Sequence, residues 1–149
     1  MGTILELMGI KRRTKSSDVP RRVLVAEDDD VILELIREAC ERACPGSIVD
    51  GTPSGEVAEL LLKCEQKYDL VILDVGLSDR RSGIDVWNAC RETNPELHFI
   101  FISGMCEDEF RRKLGAATRA PIFLNKPFSI TKLARAVSET LDDASENAA

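Results

Sequence analysis

No apolar run in this chain approaches the roughly 20 residues that a membrane-spanning helix needs, so the sequence predicts no membrane span. The short apolar start (Ile4, Leu5, Leu7, Met8, Ile10) precedes its basic residues, the reverse of a secretory signal, and a cytoplasmic protein is expected. The five cysteines (Cys40, Cys44, Cys64, Cys90, Cys106) include no Cys-x-x-Cys pair, and His98 is the only histidine. Cys40 and Cys44 lie four apart on one expected helix but find no further ligand at metal-binding spacing, so reduced, buried thiols are expected instead. Past the first 22 residues acidic side chains outnumber basic ones, 24 to 14. That leader holds Lys11, Arg12, Arg13, Lys15, Arg21 and Arg22 against Glu6 and Asp18, a balance of +4. With a total of −6, the remainder carries −10. So acidic a body argues against nucleic acid as the main partner, since phosphate contacts need clustered cations, and no direct DNA binding is expected. Repeats and low-complexity segments are absent too.

What remains is enough for one domain of 149 residues with an ordinary core. Residues 1–20 read as a basic, solvated extension, 21–143 as the folded domain and 144–149 as a frayed tail. Apolar runs of three or four residues, rich in branched side chains, recur at Val23–Ala26, Leu70–Leu73, Phe99–Ile102 and Ile122–Leu124, with a weaker one at Ser47–Gly51. Such runs predict buried parallel strands. Helical spacing fills the gaps. Ile32, Leu35, Ile36, Ala39, Cys40 and Ala43 form a first stripe, which Asp29 or Asp30 can cap; Asp30 is the expected cap, with Asp29 exposed. Val57, Leu60, Leu61 and Cys64 form a second after Thr52 or Ser54, and Ile84, Val86, Trp87 and Cys90 a third. Phe110, Leu114 and Ala117 mark a fourth helix over Glu107–Arg119. Ser129 caps a fifth with Ile130, Leu133, Ala134, Val137 and Leu141. Five strands alternating with five helices predict an α/β fold, with right-handed crossovers placing helices on both faces of a parallel sheet.

Polar groups end these runs: Glu27 and Asp28 after the first, Asp74 after the third, Ser103 after the fourth, Lys126 after the fifth. In an open parallel sheet those ends share one edge, where ligands bind. Three carboxylates, a hydroxyl and an ammonium suit a divalent cation and a phosphoryl group. Crowded carboxylates repel, which a cation and Lys126 would offset.

The stretches Val23-Leu24-Val25-Ala26-Glu27-Asp28-Asp29 and Leu70-Val71-Ile72-Leu73-Asp74, with Ser103-Gly104 and Lys126-Pro127-Phe128, resemble a response-regulator receiver domain of two-component signalling. The resemblance runs from about Arg22 to Asp143, and the Phe-Leu-Asn-Lys-Pro-Phe ending is similar to receivers of hybrid kinases. It implies a flavodoxin-like sheet in order 2-1-3-4-5 and Asp74 as phosphoacceptor for a sensor histidine kinase or histidine phosphotransfer protein. It further implies Mg²⁺ held by Glu27, Asp28, Asp74 and the Gly76 carbonyl, a Ser103/Phe123 switch, Lys126 at the phosphoryl group, and a cis bond before Pro127. Phe123 stands where many members carry tyrosine. The loop after Asp74 is one residue longer than usual, with Ser78 in place of a common proline. Too few residues follow Asp143 for an output unit, so a stand-alone, monomeric or weakly dimeric receiver is expected. It would be a non-enzyme with at most slow self-dephosphorylation, binding an unknown downstream protein through the fourth helix, fifth strand and fifth helix. The alternatives are a degenerate receiver acting as a scaffold and a phosphatase of the haloacid dehalogenase type using Asp28 with Asp30.

Overall fold

The apolar runs do form strands: β1 (Arg22–Ala26), β2 (Ile48–Thr52), β3 (Leu70–Asp74), β4 (His98–Ser103) and β5 (Ile122–Asn125). In the computed structural model, which describes residues 19–64, 67–115 and 121–147, they make one sheet of order β2-β1-β3-β4-β5. All neighbouring pairs run parallel. The helices between them are α1 (Asp30–Ala43), α2 (Gly55–Lys63), α3 (Gly83–Cys90), α4 (Glu107–Leu114) and α5 (Ile130–Asn147). Five strands, five helices and the order 2-1-3-4-5 are as expected. The basic leader up to Asp18 and the stretch 116–120, which holds Ala117 and Arg119 of the expected fourth helix, lie outside the described residues. The last helix runs on to Asn147, past the expected domain end at Asp143.

Both faces of the sheet are covered, so between their ends β1, β3 and β4 are continuously apolar rather than alternating with polar residues. Successive side chains still point to opposite faces. Leu24, Val71, Leu73, Phe99 and Phe101 face α2, α3 and α4, and Val23, Val25, Leu70, Ile72, Ile100 and Ile102 face α1 and α5. On the first face an aromatic file runs from Trp87, edge-on to Phe101, through Phe110 to Phe123. Trp87 is thus a core residue.

Three local readings need correction. Asp29, not Asp30, caps α1: its Oδ1 accepts from the Val31 and Ile32 amides at 2.9 and 3.2 Å. Such a cap stabilises a helix by about 1 kcal/mol. The face that α2 buries is Gly55, Ala58, Glu59 and Leu62, whereas Val57, Leu60 and Cys64 are exposed and Leu61 half-buried. Gly55 packs beneath the Arg81 carbonyl, where a Cβ would overlap that oxygen, and this contact fixes the rotation of the helix. Of the cysteines only Cys40 and Cys90 are buried; Cys64 and Cys106 are exposed and Cys44 is intermediate.

Candidate functional site

Every strand-end group singled out by position arrives at the carboxyl edge of the sheet. Asp74 is the last residue of β3 and Ser103 the last of β4; Glu27 directly follows β1 and Lys126 directly follows β5. Register does this, because β3 and β4 pair Asp74 with Ile102, and β4 and β5 pair Ser103 with Asn125. Glu27 is 1% exposed and Asp74 5%, and Asp28 lies open to solvent. One oxygen from each of the three carboxylates lies within 4.8 Å of the others.

A single cation answers them. Lys126 Nζ donates to Asp74 Oδ2 at 2.9 Å and to Glu27 Oε2 and Oε1 at 3.0 and 3.3 Å. Backbone donors add to these: Glu27 Oε1 also accepts from the Asp29 amide at 3.1 Å, and Asp74 Oδ1 accepts from the Gly76 amide at 2.9 Å. Burial pushes the Glu27 carboxyl up to about 7; the Asp74 charge adds to this, and the Lys126 hydrogen bond only partly opposes it. Burial works against the Lys126 ammonium, but its hydrogen bonds to Asp74 and Glu27 outweigh that, and its pKa is raised. Lys126 therefore stays charged while its partners compete for it.

Ser103 is 3% exposed, and its Oγ accepts from the Met105 amide at 3.1 Å. Its carbonyl accepts from the Lys126 amide at 2.8 Å. The Lys126–Pro127 bond is cis. Phe123 is half-buried, its ring stacked on Phe110 of α4 at 4.7 Å. Gly83, the first residue of α3, lies so close to the Asp74 carbonyl that a Cβ there would stand 2.5 Å from it. α3 can start against the end of β3 only because that side chain is missing.

Sequence reasoning missed two groups. Asn125 Nδ2 donates to the Ser103 and Met105 carbonyls at 3.0 and 2.6 Å, fastening the β4–α4 loop to β5. Asp79, in the loop after Asp74, bonds to Ser54 across 25 residues. An amide just before Lys-Pro could have signalled the first; no local pattern marks the second. Arg111, near the α4 C-terminus, donates to the Pro121 carbonyl at 3.1 Å and to Glu107. Among the described residues, no helix is long and apolar enough to cross a membrane.

A family model described as "Response regulator receiver domain" matches residues 23–138. The sensor kinase CckA of Brucella abortus (strain 2308) is 34% identical over 136 residues, which are 89% of this chain but 14% of CckA. The response regulator receiver protein CpdR of the same organism is 27% identical over 121 residues, 81% of this chain and 97% of CpdR. The crystal structure of a response regulator receiver protein from Sinorhizobium medicae WSM419 matches with a TM-score of 0.74 at 27% identity, covering 86% of this chain and 99% of that one. The family match takes in all five strands and the acidic cluster at their ends, and on that ground the chain belongs to the response regulator receiver domain family, a signalling domain of two-component systems.

Proposed function

We propose that Asp74 accepts a phosphoryl group from the phosphohistidine of a sensor histidine kinase or histidine phosphotransfer protein, and that the modified domain changes its partner. One observation carries this reading: three carboxylates converge within 4.8 Å in a single pocket, where one ammonium, Lys126, bonds to two of them. Fully ionised, they leave two negative charges uncompensated, the charge a divalent cation supplies. All the donors are hard oxygens, which suits Mg²⁺. Glu27, Asp28, Asp74 and the Gly76 carbonyl would hold it, and when bound it would neutralise charge on the transferring phosphoryl oxygens.

The chain's own residues do the rest. An Asp74 oxygen forms the O–P bond as the P–N bond of the donor breaks; the electron pair stays on the imidazole nitrogen, which takes up a proton. Lys126, already 2.9 Å from Asp74, is positioned to pass from the carboxylate to a phosphoryl oxygen without leaving the pocket. The Ser103 hydroxyl donates to another phosphoryl oxygen, drawing the β4–α4 loop inward. Phe123 stacks on α4, and Arg111 ties α4 to the entry of β5, so this displacement reaches the α4–β5–α5 face where a downstream protein would bind. The result is a phosphoacceptor, with slow hydrolysis of the aspartyl phosphate as its only turnover. The phosphatase reading has less support: Asp30 is the first residue of α1, outside the carboxylate cluster. A scaffold role would not require all five groups.

Incubation with acetyl phosphate and Mg²⁺ should add one phosphoryl mass that hydroxylamine removes. No added mass, or the same mass in excess EDTA, would overturn the reading.

Metal affinity should also depend on pH in a defined direction. Glu27 binds its proton up to about pH 7 in the metal-free domain, and a metal ligand must be deprotonated. Mg²⁺ binding should therefore weaken up to about tenfold for each unit of pH below 7 and level off above it. The sign for folding is opposite. An unfolded glutamate ionises near 4.5, so as pH rises from there to about 7 this group increasingly favours the unfolded, metal-free chain. Calorimetric Mg²⁺ titrations in two buffers of different ionisation enthalpy read the released proton directly.

A further inference from the structure

Gly76 has no side chain to fix it, yet the reading above asks its carbonyl to face a metal. The loop that carries it, residues 75–82, is held at one end by the Gly76 amide on Asp74 and at the other by the Ser82/Asp85 capping box of α3. Its middle rests on another helix. Asp79 Oδ2 accepts from Ser54 Oγ at 2.8 Å and from the Glu56 amide at 3.2 Å, and Oδ1 from the Arg81 amide at 3.3 Å. Two residues on, Arg81 Nε pairs with Glu59 Oε2 at 3.2 Å, and Glu59 is 7% exposed and also holds Lys63. Beside them, Gly55 takes the Arg81 carbonyl into the space of its missing side chain.

Ser54 joins this attachment to the far side of the pocket. It caps α2 through the Val57 amide, and its own amide donates to Thr52 Oγ1 at 3.2 Å. The Thr52 carbonyl accepts from the Glu27 amide at 3.0 Å. A chain of hydrogen bonds thus runs from the backbone of Glu27 through Thr52, Ser54 and Asp79 into the loop, whose near end returns to Asp74. It borders the acidic pocket, and of the pocket's carboxylates it uses only Asp74, through the Gly76 amide.

We infer that Asp79 and Ser54 are positioning residues, which hold the Gly76 loop against α2 and thereby set the site's affinity for Mg²⁺. The inference rests on the metal-binding reading. Partial burial works against the Asp79 charge, but bonds from Ser54 and from the Glu56, Gly55 and Arg81 amides outweigh it and hold its pKa below the usual range, so the latch is set at neutral pH. Groups that orient metal ligands commonly change affinity by about 10–100-fold when removed. Asp79 acts through a loop, which favours the lower end.

The test compares Mg²⁺ affinity, by calorimetry, with stability in urea for the full chain. Asp79→Ala and Ser54→Ala should each weaken Mg²⁺ roughly tenfold, and the double variant should be little worse than either, because both break one link. Ser54→Ala carries the argument furthest, since it changes no charge. Ser54→Thr keeps the hydroxyl and should restore the affinity. Val137→Ala, which loses buried surface on the α1–α5 side, supplies the effect of lost stability alone and should leave the affinity unchanged. Asp79→Ala and Ser54→Ala proteins that are less stable but bind Mg²⁺ like the parent would overturn the inference, as would an equal loss in Val137→Ala. If the parent binds no Mg²⁺, the metal-binding reading fails first and takes this one with it.

Discussion

Asp74→Asn should carry no acyl phosphate after incubation with acetyl phosphate and Mg²⁺, under conditions where the parent is labelled. An amide oxygen is no nucleophile at neutral pH, and none of the other carboxylates is placed to replace it: Glu27 is turned onto Lys126 and the Asp29 amide, and Asp28 faces solvent. The fold should survive. The asparagine oxygen can still accept from Gly76, and Lys126 keeps both of its bonds to Glu27. Losing one of three charged ligands should weaken Mg²⁺ by about tenfold or more, because ligand charge sets the affinity of such sites. Removing Asp74's charge also removes part of what raises Glu27, so that carboxyl should titrate lower than in the parent. Intact-mass measurement reads the first effect and calorimetry the second. Labelling that persists in Asp74→Asn would place the acceptor elsewhere.

The five strand-end groups were legible because position alone decides them. A parallel sheet brings the ends of its strands to one edge, so a polar residue after an apolar run lies there whatever its neighbours are. The α2 segment was not legible for the converse reason. Gly-Glu-Val-Ala-Glu-Leu-Leu-Leu-Lys offers two overlapping apolar faces, and local spacing favours Val57, Leu60 and Leu61. The choice falls to Ala58 and Leu62 through contacts distant in sequence: Gly55 beneath Arg81, and Glu59 buried between Arg81 and Lys63. A glutamate on a helix reads as surface, and nothing nearby shows that two cations will reach it. The α1 cap was ambiguous between adjacent aspartates, and only backbone geometry separates them: Asp29 is extended while Asp30 is already helical. The Asp79–Ser54 bond joins two loops, where no periodicity exists to be read.

Those long-range ties bear on how the pocket works. Its two flanking loops are each fastened to an element outside the pocket, one by Asp79 to α2, the other by Asn125 to β5. The first fastening lies on the Glu27 side and the second on the Lys126 side. Under the phosphoacceptor reading, the inward displacement proposed for the Ser103 loop would strain the Asn125 bonds and leave the Asp79 attachment in place.

Lys126→Met should separate two properties that most damage to this pocket would lower together. Acetyl phosphate labelling should slow by about 10²–10³-fold, the loss typical of removing one preorganised donor aimed at developing negative charge. At a pH high enough to ionise Glu27, Mg²⁺, by contrast, should bind more tightly, because the ammonium is the ion's competitor for Glu27 and Asp74. Stability in the absence of metal should fall, since breaking a buried ion pair leaves uncompensated charge at a cost of about 3–5 kcal/mol. That cost depends on pH. Lys126 is what holds Glu27 down, so without it the carboxyl titrates above 7 and keeps its proton at neutral pH, sparing the fold a buried charge. The destabilisation should be smallest near pH 6 and grow as pH rises and forces Glu27 to ionise. Saturating Mg²⁺ should then restore stability more in the variant than in the parent, and most at high pH. Urea unfolding at two pH values, with and without the metal, measures all of this. A variant that loses Mg²⁺ affinity along with its labelling would mean that Lys126 builds the pocket rather than competing for it.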